Sequence, residues 1–447
     1  MMMRMNGKKR KIASVDDEIE SVNAQLQGDT TARESWQIGK RLKALMDAHP
    51  NMTNEQMGNT LCMWGTAISR IATENDDATL AEAAVDKFEQ ALQLLGKDEM
   101  GPYGMALYGS TSMVVATEKQ DRKVLEAALQ QFQAAVDMDT PEAFESHFQY
   151  AKALKEGSHL VQHLLESGAD QDLDKTLQSP KQLQEKALGI CLHLLQHHSN
   201  VLDQPTTSSD DVLEAKVEDV DDEEEDRVTT EDMSEVILLQ AQLMALLATE
   251  DPVKIFETFK RSYDIFGENY NALIEMNAFL IQVEKADPKA WVPRLAYVAT
   301  EFKSVLRSIE FDTDKCDHVI RHCMEDELDA FDERAPKLLD CLGRNLLETL
   351  KCYADKQPAL EAETILTLRT AHHLHDQFGC YPLATLYALP LYRNPQECHV
   401  WMETCESYGI LDEEFRATDF ATMEDTEWYQ QYVAGGKLKA TEATVVE

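Results

Sequence analysis

The sequence predicts an all-α, right-handed solenoid of stacked helix pairs. Residues 61–91 and 105–135 align with each other at a constant offset of 44 positions. A fixed period of this length is typical of helical arrays, whose units bury their apolar faces only against neighbouring units. Glycine and proline are sparse, 18 and 13 of 447 residues, which favours helices because both residues disrupt helix interiors. A related pattern returns in residues 336–378.

Two small-residue signatures carry the repeat. An aromatic–glycine pair on the first helix is followed by Ala-x3-Phe-x2-Ala on the second. The members are Trp64-Gly65 with Ala84, Phe88 and Ala91, then Tyr108-Gly109 with Ala128, Phe132 and Ala135. In the later copy Ala362 lies nineteen positions after Gly343, as Ala84 does after Gly65. Glycine and alanine let two helices approach closely, and the aromatic side chain fills the space between them. Each unit is therefore predicted to be one helix pair.

The remaining chain divides by composition and periodicity. We predict a disordered basic and acidic N-terminus at 1–30, an N-terminal repeat block at 31–198, an acidic flexible linker at 199–231, a C-terminal helical block at 232–433 and a flexible tail at 434–447. Within these blocks, the pattern predicts one helix over 34–49, a weaker pair over 141–196, and further pairs over 239–267 and 383–408. Gly409 is the expected C-cap of the last pair, and residues 419–429 are expected to pack as a short lid.

Charge and cysteine content limit the function. The net charge is −39, from 81 acidic and 42 basic residues, which weighs against direct binding of nucleic acid or of anionic membrane surfaces. If the partner is charged, we expect it to be a basic protein. Nine cysteines without a C-x-x-C pair are typical of a reducing compartment. The first residues contain no apolar stretch of a secretory signal, and no segment is long enough to span a bilayer.

Two charged segments each have more than one interpretation. The basic cluster Lys8, Lys9, Arg10 and Lys11 predicts a nuclear import signal; the alternative is a solvated basic tail. An acidic run packs eight carboxylates into nine residues: Glu218, Asp219, Asp221, Asp222, Glu223, Glu224, Glu225 and Asp226. Such a run repels itself and predicts a linker. The alternatives are a binding site for a basic partner or a mask over a basic groove of the same protein.

No pattern in the sequence predicts catalysis. It has neither a glycine-rich phosphate loop nor a G-x-S-x-G turn. The best metal-ligating group is Cys316, His318, His322 and Cys323, whose two histidines share a helix face. The acidic residues that follow favour a solvated helix end instead. We therefore predict a non-enzymatic protein with no cofactor, no catalytic residue and no metal.

The aromatic–glycine and Ala-x3-Phe-x2-Ala spacing resembles the tetratricopeptide repeat, lengthened between its two helices. That resemblance implies protein binding on the concave face formed by first helices. Repeats that hold chaperone C-termini use lysine and asparagine there. The matching positions Cys62, Thr66, Ala106 and Ser110 are neither, so a chaperone co-factor is not expected.

Together, the basic cluster, the repeats and the acidic run resemble the fungal enhancer-of-translation-termination family. That resemblance implies an all-helical nuclear protein, with the cytoplasm as a second location. It also implies roles in translation termination and in oxygen-responsive transcription through protein binding. Nuclear histone-binding repeat proteins also carry an acidic interruption, so an acidic chaperone for basic clients stays an alternative.

The residues expected to contact a partner share the exposed face of a first helix. They are Asn59, Thr66, Ser69, Arg70, Tyr103, Ser110, Met113, Lys337 and Arg344, with Asp340 and Glu348 beside the last two.

Overall fold

The computed structural model describes residues 14–28, 30–75, 77–141, 143–167, 178–202, 227–248, 250–323, 328, 330–411 and 415–434. Throughout these residues the regular structure is helical, and they include no β-strand. The fold is an all-α helical repeat, as the sequence predicts. The chain divides into two compact units between residues 250 and 251. No helix of the described residues is long and apolar enough to cross a membrane.

The first unit contains ten helices within the described residues. They are α1 Val15–Gln27, α2 Ala32–Ala48, α3 Asn54–Asn75, α4 Ala78–Leu95, α5 Lys97–Lys119, α6 Arg122–Met138, α7 Phe144–Glu166, α8 Pro180–His197, α9 Ser199–Leu202 and α10 Thr230–Leu247. The predicted pairs are present as α3 with α4, α5 with α6 and α7 with α8. Helix α5 contains a break at Gly101, whose φ is +71° and which precedes Pro102.

The segment from 1 to 30, predicted to be disordered, contains helix α1. Ser14 begins this helix with a reciprocal capping box, which satisfies N–H groups that otherwise lack a partner. Val22 and Leu26 lie four positions apart, so they share one face, and both are buried in a core formed with α2 and α3. Arg70 of α3 donates a 2.6 Å hydrogen bond to the carbonyl oxygen of Leu26. Helix α1 therefore caps the first end of the repeat array.

The glycines of the first two repeats, Gly65 and Gly109, each lie directly beneath a phenylalanine of the partner helix. A Cβ atom added at Gly65 would lie 3.1 Å from the ring of Phe88, and one at Gly109 would lie 2.8 Å from the ring of Phe132. Both rings are buried. The close helix approach that the sequence predicts is confirmed, because an added Cβ would overlap the ring at Gly109 and would be tightly crowded by the ring at Gly65.

The same phenylalanines join one pair to the next. Phe88 stacks on Tyr108 of the following pair at a centroid distance of 5.9 Å, and Phe132 stacks on Tyr150 at 6.3 Å. A single ring thus closes its own helix pair and forms the interface with the next one. This arrangement explains why isolated units of this kind would leave an apolar face uncovered.

Replacing Gly109 with alanine is expected to lower the free energy of unfolding by up to about 2 kcal/mol. Overpacking against Phe132 costs about 1–3 kcal/mol, more than alanine gains in helix propensity, about 1 kcal/mol. Gly189 of α8 provides the control, because an added Cβ there has no atom within 4 Å. Gly189→Ala is expected to stabilise the chain slightly. Urea denaturation followed by circular dichroism measures both, and a stabilising Gly109→Ala would contradict the packing argument.

Helix α10 places the boundary between units later than the sequence predicts. The second block was expected to start at 232, but Leu239 and Leu243 are buried in the same core as Leu154 of α7. Helix α10 accordingly packs on α8 and belongs to the first unit. The repeat predicted over 239–267 is therefore divided between the two units.

The second unit contains the remaining helices. They are α11 Pro252–Ile265, α12 Tyr270–Gln282, α13 Pro288–Ser308, α14 Cys316–His322, α15 Ala335–Lys351, α16 Pro358–Leu374, α17 Cys380–Ala388, α18 Pro395–Ser407 and the last helix Glu427–Ala434, with 3-10 turns at Thr313–Lys315 and Ala417–Met423. Helices α15 and α16 form one pair and α17 and α18 another. Gly409 follows α18 with a φ of +73°, as expected of a C-cap glycine.

The register of the α15–α16 pair differs from the predicted one. Ala362, the predicted equivalent of Ala84, is exposed. The side chain over Gly343 is Leu368, whose Cδ2 would lie 2.2 Å from an added Cβ. Leu368 lies 25 positions after its glycine, whereas Phe88 lies 23 after Gly65. The second helix begins 15 positions after the glycine in this pair and 13 positions after it in the α3–α4 pair, which accounts for the difference.

Candidate functional site

A groove of about 430 Å³ opens in the first unit along the first helices of three successive pairs, α3, α5 and α7. Ser69 and Thr73 of α3 contribute to its wall, and they lie 44 positions before Met113 and Thr117 of α5. The repeat period therefore brings equivalent positions of neighbouring helices to the same groove. Residues three and four apart share a helix face, so each helix presents a continuous row.

The middle of the groove is neutral and hydroxyl-rich. The hydroxyls of Ser69 and Thr111 lie 2.8 Å apart and link α3 to α5. The Thr111 hydroxyl donates to the carbonyl oxygen of Leu107 at 2.8 Å, so the Ser69 hydroxyl is the donor to Thr111. Val114, which is half-buried, adds apolar surface. Such a wall offers both hydrogen-bonding and apolar contacts to a bound chain.

Three charged side chains line the same groove: Glu118 of α5, and Lys152 and Glu156 of α7. The Lys152 ammonium lies 4.2 Å from the centroid of the Phe148 ring, a cation–π contact. Neither glutamate forms a hydrogen bond or salt bridge with any residue in the part of the chain that the structure describes. Their carboxylates are thus available to a ligand.

The predicted contact residues of the first unit do not all lie in the groove. Ser69, Ser110 and Met113 border the groove. Met113 is nevertheless buried, at 4% exposure, so the expectation that it is an exposed contact is wrong. Thr66 is buried, and its hydroxyl donates to the Cys62 carbonyl oxygen at 3.1 Å, so the expectation that it is an exposed contact is wrong. Whether the groove residues bind a partner stays a prediction.

The other predicted residues of the first unit lie outside the groove lining. The Arg70 guanidinium is engaged with the end of α1, donating to the carbonyl oxygens of Leu26 and Gly28. Asn59 is half-buried, and Tyr103 is exposed after Pro102. Arg70 therefore has a structural partner, which makes it a poor choice for a binding residue.

In the second unit, two of the expected groove residues hold the fold together. One Asp340 oxygen accepts from the Arg344 guanidinium at 2.6 Å, and the other accepts from the Gly379 backbone N–H at 2.9 Å. Glu348 is buried beside Lys285, with 2.9 Å between their charged atoms. The interpretation of Asp340 and Glu348 as exposed contacts is wrong. Lys337 is exposed.

The histidines of the possible metal site share a helix face, as their spacing predicts. The rings of His318 and His322 have centroids 4.8 Å apart. Cys316 is buried, and burial raises the pKa of its thiol, which disfavours the thiolate that a metal needs. Within the described residues no three His, Cys, Asp or Glu side chains are grouped to hold a metal ion.

Two predicted segments lie outside the described residues. They are the basic cluster Lys8, Lys9, Arg10 and Lys11 and the acidic run at 218–226. The import signal and the role of the acidic run stay predictions.

Lys152, Glu156 and Glu118 were not anticipated from the sequence. Glu118 follows the repeat, because it stands 44 positions after Glu74. The α7 residues do not, since Tyr150 stands 42 positions after Tyr108 although it makes the equivalent stacking contact. Aligning Tyr150 with Tyr108, with the distance between repeats allowed to vary, would have placed the α7 residues in register with those of α5.

No protein-family model matches the chain, and no curated protein matches it. Among solved structures, the chain is similar to the crystal structure of the P58(IPK) TPR domain, at 12% sequence identity and a TM-score of 0.25. That match covers 89% of this chain and 99% of the other. The fold class rests on the helix pairs and their glycine–aromatic contacts described above.

Proposed function

We propose that this protein is a non-enzymatic scaffold that binds other proteins through an extended segment held in the groove of α3, α5 and α7. The groove itself carries the proposal. Its volume of about 430 Å³ lies within the range of specific ligand sites, about 300–1,000 Å³. Hydroxyls such as those of Ser69 and Ser110 offer hydrogen bonds to a peptide backbone, and the half-buried Val114 offers an apolar contact.

Filling the groove tests this proposal. Ser110→Trp is expected to abolish recovery of partners in affinity purification from nuclear extract, because the indole occupies the space of the bound segment. Gln130→Trp, on the exposed surface of α6, provides the matched control and is expected to bind normally. Circular dichroism shows whether both variants fold. The purification includes a high-salt wash, which screens surface charge. If both variants then recover the same partners equally, binding in the groove is contradicted.

We further propose a nuclear role in regulating translation termination and transcription. The support is the resemblance based on the basic cluster, the repeats and the acidic run. Replacing Lys8, Lys9, Arg10 and Lys11 with alanine is expected to shift a tagged copy from the nucleus toward the cytoplasm, because import receptors read exposed basic residues. Fluorescence microscopy of both copies measures the shift. An unchanged nuclear signal in the alanine variant would contradict the import role.

An acidic chaperone for basic clients such as histones is the second candidate, favoured by the net charge of −39. It predicts binding that weakens steeply with salt, because screening reduces the attraction between exposed charges. Deleting residues 218–226 is then expected to reduce histone binding measured by fluorescence anisotropy. Unchanged binding after the deletion would leave the acidic run as a linker.

A further inference from the structure

The two glutamates of the groove are not neutralised by the lysines next to them in sequence. Lys119, which follows Glu118, pairs with Glu82 of α4 at 2.6 Å. Lys155, which precedes Glu156, donates to the Gln242 side chain at 2.6 Å. Both neighbouring ammonium groups are therefore engaged with other helices.

The backbone adds to the negative potential near one of these glutamates. Glu118 lies in the last turn of α5, which ends at Lys119. The carbonyl groups at a helix C-terminus carry a partial negative charge that favours cations. The lining contains one lysine, Lys152, whose ammonium rests on the Phe148 ring. Two carboxylates and one ammonium leave the groove with an excess of one negative charge.

Apolar surface lies next to the carboxylates. Val114 is half-buried and lies four positions before Glu118, so the two share one face of α5. Arginine and lysine place an aliphatic stem on apolar surface while their charged end reaches a polar partner. The arginine guanidinium also matches a carboxylate with two parallel hydrogen bonds. A basic side chain can therefore contact both the apolar surface and the carboxylates of the groove.

We infer that the segment bound in the groove carries an arginine or lysine whose charged end pairs with Glu118 and Glu156. The inference rests on the proposed function, since it names the partner chemistry of the same groove. By this inference the folded repeats recognise the basic partner. Recognition then does not depend on the acidic run at 218–226.

An array of nine-residue peptides tests the inference. Each peptide has one of the twenty amino acids at its centre, in an otherwise uncharged serine and alanine background, and is probed with the full-length chain. The chain is expected to retain arginine- and lysine-centred peptides at least about tenfold more than leucine- or glutamate-centred ones, as befits a charge-assisted hydrogen bond. Glu118→Gln/Glu156→Gln is expected to lose this preference. Glu20→Gln/Glu99→Gln, which removes two exposed carboxylates elsewhere in the first unit, is expected to keep it.

The outcomes separate the inference from the proposed function. Peptide retention without a basic preference, or with a preference that survives Glu118→Gln/Glu156→Gln, would overturn the inference and leave the groove as a peptide site. A basic preference that survives Ser110→Trp but is lost on deletion of 218–226 would also overturn it, because the peptides then bind the acidic run. If the wild-type chain retains no peptide, both the inference and groove binding of extended segments are overturned.

Discussion

Gly379→Ala is expected to lower the free energy of unfolding of the second unit by about 3–5 kcal/mol. Gly379 has a φ of +75°, and a side chain in this left-handed region costs about 1–2 kcal/mol. An added Cβ would also lie 2.1 Å from the backbone oxygen of Leu368. A backbone atom cannot rotate away as a side chain can, so the helix junction must shift. Its displacement would also break the hydrogen bond from Gly379 to Asp340, which is 2.9 Å long.

Gly409 separates the two contributions. Its φ is +73°, nearly the same, but an added Cβ has no atom within 4 Å. Gly409→Ala is expected to cost only the backbone term, about 1–2 kcal/mol. Urea denaturation of each full-length variant, followed by far-ultraviolet circular dichroism, measures the difference. Equal losses for the two alanine variants would show that contact with Leu368 contributes nothing.

These two glycines also show what sequence reasoning can reach. The role of Gly409 is local: it ends a helix whose apolar period is visible in the sequence, so its C-cap conformation was predicted. Gly379 depends on Leu368 and Asp340, which lie 11 and 39 positions away. No local pattern reveals such a contact. For the same reason Asp340 was interpreted as an exposed residue, although its carboxylate holds the junction.

The fold class was predictable because its determinant is periodic. Gly65, Gly109 and their phenylalanines recur at one spacing, and that spacing reflects a single packing contact used twice. The errors arise where packing partners are not periodic. Helix α1 carries many charged residues, which hide the buried pair Val22 and Leu26. Helix α10 follows an acidic run, and that run suggested that a new block begins with α10. The burial of α10 against α7 and α8 shows instead that it belongs to the first unit.

The groove was half predictable for a related reason. Ser69, Ser110 and Met113 follow from the two repeats that align. Glu156 lies on α7, where the offset changes from 44 to 42 and the alignment fails. The charge of the groove, which sets the chemistry of the inferred partner, therefore became visible only once α7 was placed beside α5.

The buried ion pair between Lys285 and Glu348 is expected to produce the second large effect. Both side chains are about one-tenth exposed or less, at 7% and 11%, and their charged atoms lie 2.9 Å apart. Removing one member of a buried pair costs about 3–5 kcal/mol, because the other charge stays buried without compensation. Glu348→Leu is therefore expected to destabilise the second unit by about 3 kcal/mol. Lys285→Met is expected to cost less, since Lys351 still lies 3.1 Å from Glu348.

The double variant Lys285→Met/Glu348→Leu decides whether the two charges act as a pair. It removes both charges and leaves apolar groups of similar size, so its stability is expected to return to within about 1 kcal/mol of the original chain. Urea denaturation of the four proteins completes the cycle. Additive losses in the double variant would mean that each side chain stabilises the unit separately. Recovery would show that the pair contributes little net stability, and that the cost of each single change comes from the charge left behind.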